Sequence, residues 1–362
     1  DLNLTKAIRI VGEGTTRDDV IVQASATASD ANAKYHRVFR LNHPRAVLAN
    51  LTVRNGWLVT GGAGTDSGAN GGNVLIYGGG TVTNCVLDSG VVIHSADALI
   101  KGALGGNLYI YGNGLAVDCD IVNGTIWHSA TCGGGGNVVL HGEGARLMRC
   151  TVRNGHRFND VGDSTYSQSG GSGIYMNGSC VAENCLIRGN SGTRGAVALY
   201  AGAPRLVNCT VVENFGGYGG MNGVWVNTAD ARVVNCVMFD NGGTAVAEWG
   251  AQNAEAFLNC AVPQGAVISG GSNNFQVTSQ AFVDEDFRPL GRGPQAALVC
   301  AGTSDADYAA YGATSELDLD GMSRHHAGDR RLDIGCYAVA VDDASLSVRG
   351  TVRTELGITQ AF

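Results

Sequence analysis

Proline is scarce in this chain, five in 362 residues, and its 55 glycines follow no Gly-X-Y period, so a collagen-like rod is excluded. No apolar run approaches the length of a membrane span. Basic residues are scattered and the net charge is −8, which disfavours a nucleic acid or an anionic membrane as partner. Neither an initiator Met nor a signal peptide opens the sequence, so a processed product or an excised piece is expected. Sustained 3.6-residue periodicity is missing too; alternation with period two dominates. What is abundant is glycine in short β-rich phrases, the mark of a fold that turns often and tightly.

The phrase RLVNCTVVEN, residues 205–214, returns as RVVNCVMFDN, residues 232–241, and TVTNCVLDSG, LMRCTVRNG and AENCLIRGN come before them. Aligning these phrases gives anchors at Leu51, Cys85, Cys119, Cys150, Cys185, Cys209, Cys236 and Cys260, spaced by 34, 34, 31, 35, 24, 27 and 24 residues. A second phrase keeps the same rhythm: GGNVLIYG at 71–78, GGNLYIYG at 105–112, GGNVVLHG at 135–142 and GSGIYMNG at 171–178. Several short strands per repeat with glycine at the corners predict an all-β parallel solenoid. The residue before each anchor is Asn50, Asn84, Asp118, Asn184, Asn208, Asn235 or Asn259, broken only by Arg149. With coils stacked about 4.8 Å apart, these side chains are expected to form an amide hydrogen-bond ladder.

These residues resemble the right-handed parallel β-helix, or pectin-lyase-like, superfamily over roughly residues 1–280. The resemblance implies a β-helix of roughly ten coils, about 45–50 Å long at the usual strand spacing. Parity then orients the cysteines. The anchor and the residue two beyond it, such as Cys85/Leu87 and Cys236/Met238, share one face, while the residue between is more often polar. The sulfur row therefore faces a dry interior and behaves as small hydrophobes, not as a compact tetrahedral zinc set.

From about residue 281 the rhythm stops. DFRPL, DLDG, Arg324 and DIGCY resemble the closing choice-of-anchor Q segment of bacterial surface β-helix proteins, although Cys336 and YAV stand where Ala and YE are usual. The resemblance implies a C-terminal capping segment, 281–340, that blocks end-to-end pairing of strand edges. A tail, 341–362, alternates like a strand pair and either begins another domain or packs back. No organic cofactor is expected; calcium has weak candidate loops at Asp318, Asp320 and Asp333 and in GGAGTD, residues 61–66.

Two exterior features carry chemistry. On the sheet built from the GGNVLIYG phrases, the outward columns contain Tyr77, Tyr111, His141 and Tyr200, and beside them Tyr109, Tyr175 and Trp225; with Trp57 these are the candidate sugar-binding residues. Long corners at 54–72, 88–106, 122–136 and 153–172 must crowd on one side, where Lys101, His128, His156, Arg157, Asp160 and Asp163 are candidates for acid–base work and charge stabilisation. The polygalacturonase phrases Asn-Thr-Asp, Gly-His-Gly and Arg-Ile-Lys are absent. The leading expectation is a secreted or cell-surface bacterial module, adhesin-like, that binds a polysaccharide, cell-surface glycan or partner through its outer face. The alternatives are a polysaccharide lyase or glycoside hydrolase at the central corners, and a self-assembling element whose open helix ends meet another copy or domain.

Overall fold

In the computed structural model each cysteine phrase is a strand, a two-residue corner and a second strand. The structure describes residues 1–24, 36–60, 70–94, 104–128, 134–159, 170–192, 194–216, 222–242, 249–251, 254–266, 268, 271–291, 294–325, 331–339, 351–353 and 359–361. Three all-parallel sheets wrap a common interior. Sheet 1, nine strands from Leu2–Leu4 to Trp249–Ala251, carries the GGNVLIYG phrases. Sheet 2 has nine strands from Arg9–Val11 to Phe257–Leu258, and sheet 3 has ten from Ile21–Gln23 to Phe275–Val277. Each coil visits them in that order, so a strand such as Val86–Asp88 lies between its homologues Thr52–Arg54 and Asp120–Val122. This is a parallel β-solenoid. A four-stranded ribbon, Trp57–Thr60, Val91–His94, Thr125–His128 and His156–Asn159, continues past sheet 3 in the coils with long corners.

The sulfur row faces inward. Cys85, Cys119, Cys150, Cys185, Cys209, Cys236 and Cys260 are buried in one continuous apolar core with Leu87, Ile121, Val152, Ile187, Val211 and Met238. Each sulfur, about the size of a methylene, contributes roughly 0.8 kcal/mol of transfer free energy by leaving water. Burial pushes the Cys85 thiol up to about 12 and the Cys119, Cys185, Cys209 and Cys236 thiols well above their ordinary value. Thiols so far from ionisation are inert packing groups. Cys300 and Cys336 are not joined by a disulfide.

The asparagines before the anchors have a different task from the one expected. Asn50, Asn84, Asp118, Arg149, Asn184, Asn208, Asn235 and Asn259 all take a left-handed backbone, with φ between 47° and 56°. Sheet 2 turns into sheet 3 within two residues, the first of them left-handed, and Asn and Asp tolerate that region better than most side chains. Asn84 does donate to Asn50 Oδ1 at 3.0 Å, but Asn184 donates to the Leu317 carbonyl, Asn235 to Thr303 Oγ1, and the Asn208 amide meets no partner among the described residues. Backbone conformation, not an amide ladder, selects this row.

The amide ladder lies at the other corner. Asn73, Asn107, Asn137, Asn190, Asn214 and Asn241 are almost wholly buried, and each Nδ2 donates to the next Oδ1 at 2.6, 2.8, 3.2, 3.0 and 2.8 Å. The same oxygens accept the backbone N–H groups of Gly56, Gly90, Gly124 and Gly155 at 2.8 Å. Both amide ends are thereby satisfied, which makes a buried polar row tolerable. The first three asparagines follow the long excursions, in GGN; the last three stand directly after sheet 3 strands, in RGN, VEN and FDN.

Described residues between 281 and 337 run along the flank of the tube. They cover the outer face of sheet 3 at Leu186, Val212 and Val237 with Tyr337, Cys336 and Ile334, and that of sheet 2 at Val207 and Val234 with Tyr308, Ala313 and Leu332. The attraction is both apolar and polar. Glu183 on sheet 2 is fully buried and accepts the N–H groups of Thr314 at 2.8 Å and Ser315 at 3.1 Å, with Arg146 and the Tyr308 hydroxyl beside it. In the tail, Thr351–Arg353 and Thr359–Ala361 form an antiparallel pair.

Candidate functional site

The flank segment stops short of the middle coils, and this edge makes a groove. Its floor is the outer face of sheet 3 at Asp120, Thr151, Arg153, Leu186 and Arg188; its far wall is the flank at Asp286, Arg288, Asp320 and Tyr337. The cavity is about 540 Å³, within the range of small-molecule sites. Five arginines and five carboxylates line it. Nearly all are matched. Arg17 pairs with Asp120; Arg149 grips Asp118 through two nitrogens at 2.7 and 3.0 Å; Arg188 pairs with Glu213 and, at 3.2 Å, with Asp286. Arg288 reaches Asp284, Asp286 and Asp320, each at 3.0 Å, and lies 4.6 Å above the Tyr337 ring. The Asp320 bond, then those to Asp284 and Asp286, hold the Arg288 guanidinium above its ordinary value.

Arg153 differs. It is exposed on the groove floor in register with Arg188, and no side-chain partner meets it among the described residues. The groove thus holds rigid, planar, ion-paired groups around a single uncompensated guanidinium. Such an arrangement suits a hydroxyl-rich ligand bearing a carboxylate or sulfate.

The tyrosine columns divide into two. Tyr109, Tyr175 and Trp225 point away from the core, as alternation requires, but they are buried in a separate apolar cluster with Leu75, Val139 and Ala198. Their expected contact with sugar is therefore corrected: these rings are closed to a ligand. Tyr200 packs on the same cluster, 5.4 Å from Tyr175 and 6.2 Å from Trp225. Tyr77 and Tyr111 are exposed, but they stack on each other at 5.2 Å. The Arg40 guanidinium covers the other face of Tyr77 at 5.3 Å, and the His141 edge meets Tyr111 at 5.3 Å. The ring faces are already occupied, leaving hydroxyls and edges. His141 also bonds the Tyr109 hydroxyl, and burial lowers its basicity.

The long-corner candidates lie on the ribbon where the structure describes them. Val59, Ile93, Trp127 and Phe158 form one outward line, with Trp127 and Phe158 stacked at 4.4 Å. Trp57, Val91, Thr125 and His156 form a second line on the same side. Arg157 continues the opposite, buried line of Leu58, Val92 and Ile126 and is itself buried. Its guanidinium lies against Gly170, where a Cβ would stand 2.2 Å from Nη1. That burial removes Arg157 as a charge stabiliser for an outside substrate. Lys101, Asp160, Asp163 and the GGAGTD loop fall outside the described residues, and His128 ends its strand with a side chain that is likewise not described.

The acidic loops of the flank are engaged in turns and ion pairs. Asp318 accepts from Met322 N and Ala338 N at 2.7 Å, Asp333 from Cys300 N at 2.8 Å and Val339 N at 2.7 Å, and Asp320 binds Arg288. Among the described residues no group of His, Cys, Asp or Glu converges as a metal site, and no helix is long and apolar enough to cross a membrane. No family model and no curated protein matches the chain.

The groove was missed in the sequence, yet a signal for it was present. The register that buries the cysteines puts the third residue after each anchor outside, and this column reads Arg54, Asp88, Val122, Arg153, Arg188. Nothing in the sequence announced that the flank would wall that column on one side.

Proposed function

We propose that this chain is a secreted or cell-surface glycan-binding module, adhesin-like, whose principal site is the groove between sheet 3 and the flank. The observation that carries the reading is Arg153, an exposed guanidinium without a partner among the described residues, on the floor of a groove whose other charges are matched. A saccharide seated there meets carboxylates and guanidinia that are already oriented, so little side-chain entropy is lost on binding. An acidic unit of the chain takes Arg153.

The test compares acidic and uncharged oligosaccharides of equal length by titration calorimetry. The acidic ligand is expected to bind more tightly and to lose about tenfold in affinity on Arg153→Ala, in keeping with a charge-assisted hydrogen bond of roughly 1.5–3 kcal/mol. The uncharged ligand should barely change. Equal affinity of Arg153→Ala and wild type for the acidic ligand would overturn the assignment.

A further inference from the structure

The ribbon ends beside a second, unrelated arrangement. His156 Nδ1 and Ser191 Oγ are 2.6 Å apart on adjacent coils, in a parallel bridge that continues to Phe215. Both side chains are partly exposed. The buried ladder fixes them twice over. Ser191 directly follows Asn190, whose Nδ2 is held by the Val152 carbonyl at 3.0 Å and Asn214 Oδ1 at 3.0 Å. His156 directly follows Gly155, whose N–H donates to Asn190 Oδ1 at 2.8 Å. One immobile amide therefore sets the position of hydroxyl and imidazole relative to each other. The imidazole also lies nearly parallel to the Phe158 ring, 6.0 Å away and 25° inclined.

We propose that Ser191 and His156 are a nucleophile and general base that hydrolyse carboxylic esters with a small or aromatic acyl group. The two requirements are a hydroxyl hydrogen-bonded to a basic nitrogen and a fixed mutual geometry, and both are met. Burial lowers the basicity of His156, so the ring is neutral at pH 7 and free to accept a proton. Phe158, 43% exposed, lies beside the His156 ring, and Phe215, 51% exposed, pairs with Ser191 on the next coil; these two rings would seat the acyl group.

In the first step the Ser191 Oγ–C bond forms as the hydroxyl proton passes to His156 Nδ1. The ester C–O bond then breaks, and the departing alkoxide takes that proton. Water attacks the acyl-serine next, giving its proton to the same nitrogen; the acyl C–Oγ bond breaks, Nδ1 returns the proton to Ser191 Oγ, and the carboxylic acid leaves. No oxidant or metal is required for the balance.

The site is separate from the groove, so either assignment can fail without the other. The experiment treats the full chain with a fluorophosphonate probe, in which the P–F bond breaks as a P–Oγ bond forms, and locates the adduct by peptide mass spectrometry. The expected result is an adduct on Ser191, absent in Ser191→Ala and formed about 100-fold more slowly in His156→Gln. Hydrolysis of p-nitrophenyl acetate should fall in both variants, and Phe158→Ala should raise KM more than it lowers kcat. Circular dichroism of each variant separates lost chemistry from lost fold. Absence of a Ser191 adduct on the wild-type chain would overturn the proposal, as would labelling at an unchanged rate in folded His156→Gln.

Discussion

The coils up to about residue 170 and the coils beyond it share one core and one corner geometry, yet they manage their exteriors in opposite ways. The earlier coils throw out long corners, build the ribbon, and leave the outer face of sheet 3 half-buried at Val86, Asp120 and Thr151. The later coils cut the corner short and hand the same face to the flank, which buries Leu186, Val212 and Val237. Parallel sheets buried on both faces favour apolar residues throughout, whereas a sheet bare on one face alternates. The composition of the outward positions follows that rule, and the groove occupies the seam between the two regimes.

The sharpest way to break the contrast is to detach the flank. Glu183→Ala removes a fully buried carboxylate and strands the N–H groups of Thr314 and Ser315 along with Arg146. A loss of about 3–5 kcal/mol is expected for breaking a buried charged network from one side. Hydrogen exchange should rise across residues 304–336 while the earlier coils keep their protection. A loss spread evenly over the solenoid would mean that the two halves do not differ in this way.

A smaller effect separates the two asparagine rows. Asn137→Ala orphans the Gly124 N–H and removes one of the two acceptors of Asn107 Nδ2, so a loss of about 2–3 kcal/mol is expected in urea unfolding. Asn208→Gly leaves the left-handed corner at φ 50° in a residue suited to it and removes no hydrogen bond, so stability should change by less than about 1 kcal/mol. Similar costs at the two sites would erase the distinction between ladder and corner.

The smallest expected effect is one of pH. Burial lowers the basicity of His141 and of His156. Below the ordinary histidine value of about 6.5, the unfolded chain therefore binds protons that the folded chain resists. Stability contributed by the neutral rings is complete above that pH and declines as pH falls toward the lowered folded values. Thermal midpoints measured from pH 7.5 to 5 should fall slightly, and the His141→Gln, His156→Gln double variant should flatten that slope.

The tube was legible because its signals are local and periodic. A cysteine every 24 to 35 residues, flanked by period-two alternation, gives strand, face and coil together. Asn84 and Asn137 look alike in such a reading, however, because sequence spacing does not say which residue is at a left-handed corner and which is inside. Tyr109 and Trp225 could be placed on the outer side by parity, but parity is silent about what lies over them. The groove needs a long-range fact, the course of residues 281–339 along sheets 2 and 3, and no periodic signal encodes it. His156 and Ser191 are 35 residues apart, and only coil stacking makes them neighbours.

The handover between Asn137 and Asn190 has an engineering consequence. The polar rung is supplied from behind the excursion in one coil and from in front of it in the next, yet the donor–acceptor chain passes through at 3.2 Å. The chain of amide bonds therefore does not depend on which side of the excursion supplies the rung. The corner is thus a cloning port. A loop lengthened there beyond the ribbon strands is expected to leave the register of the scaffold unchanged, since the closure cost grows only slowly with length.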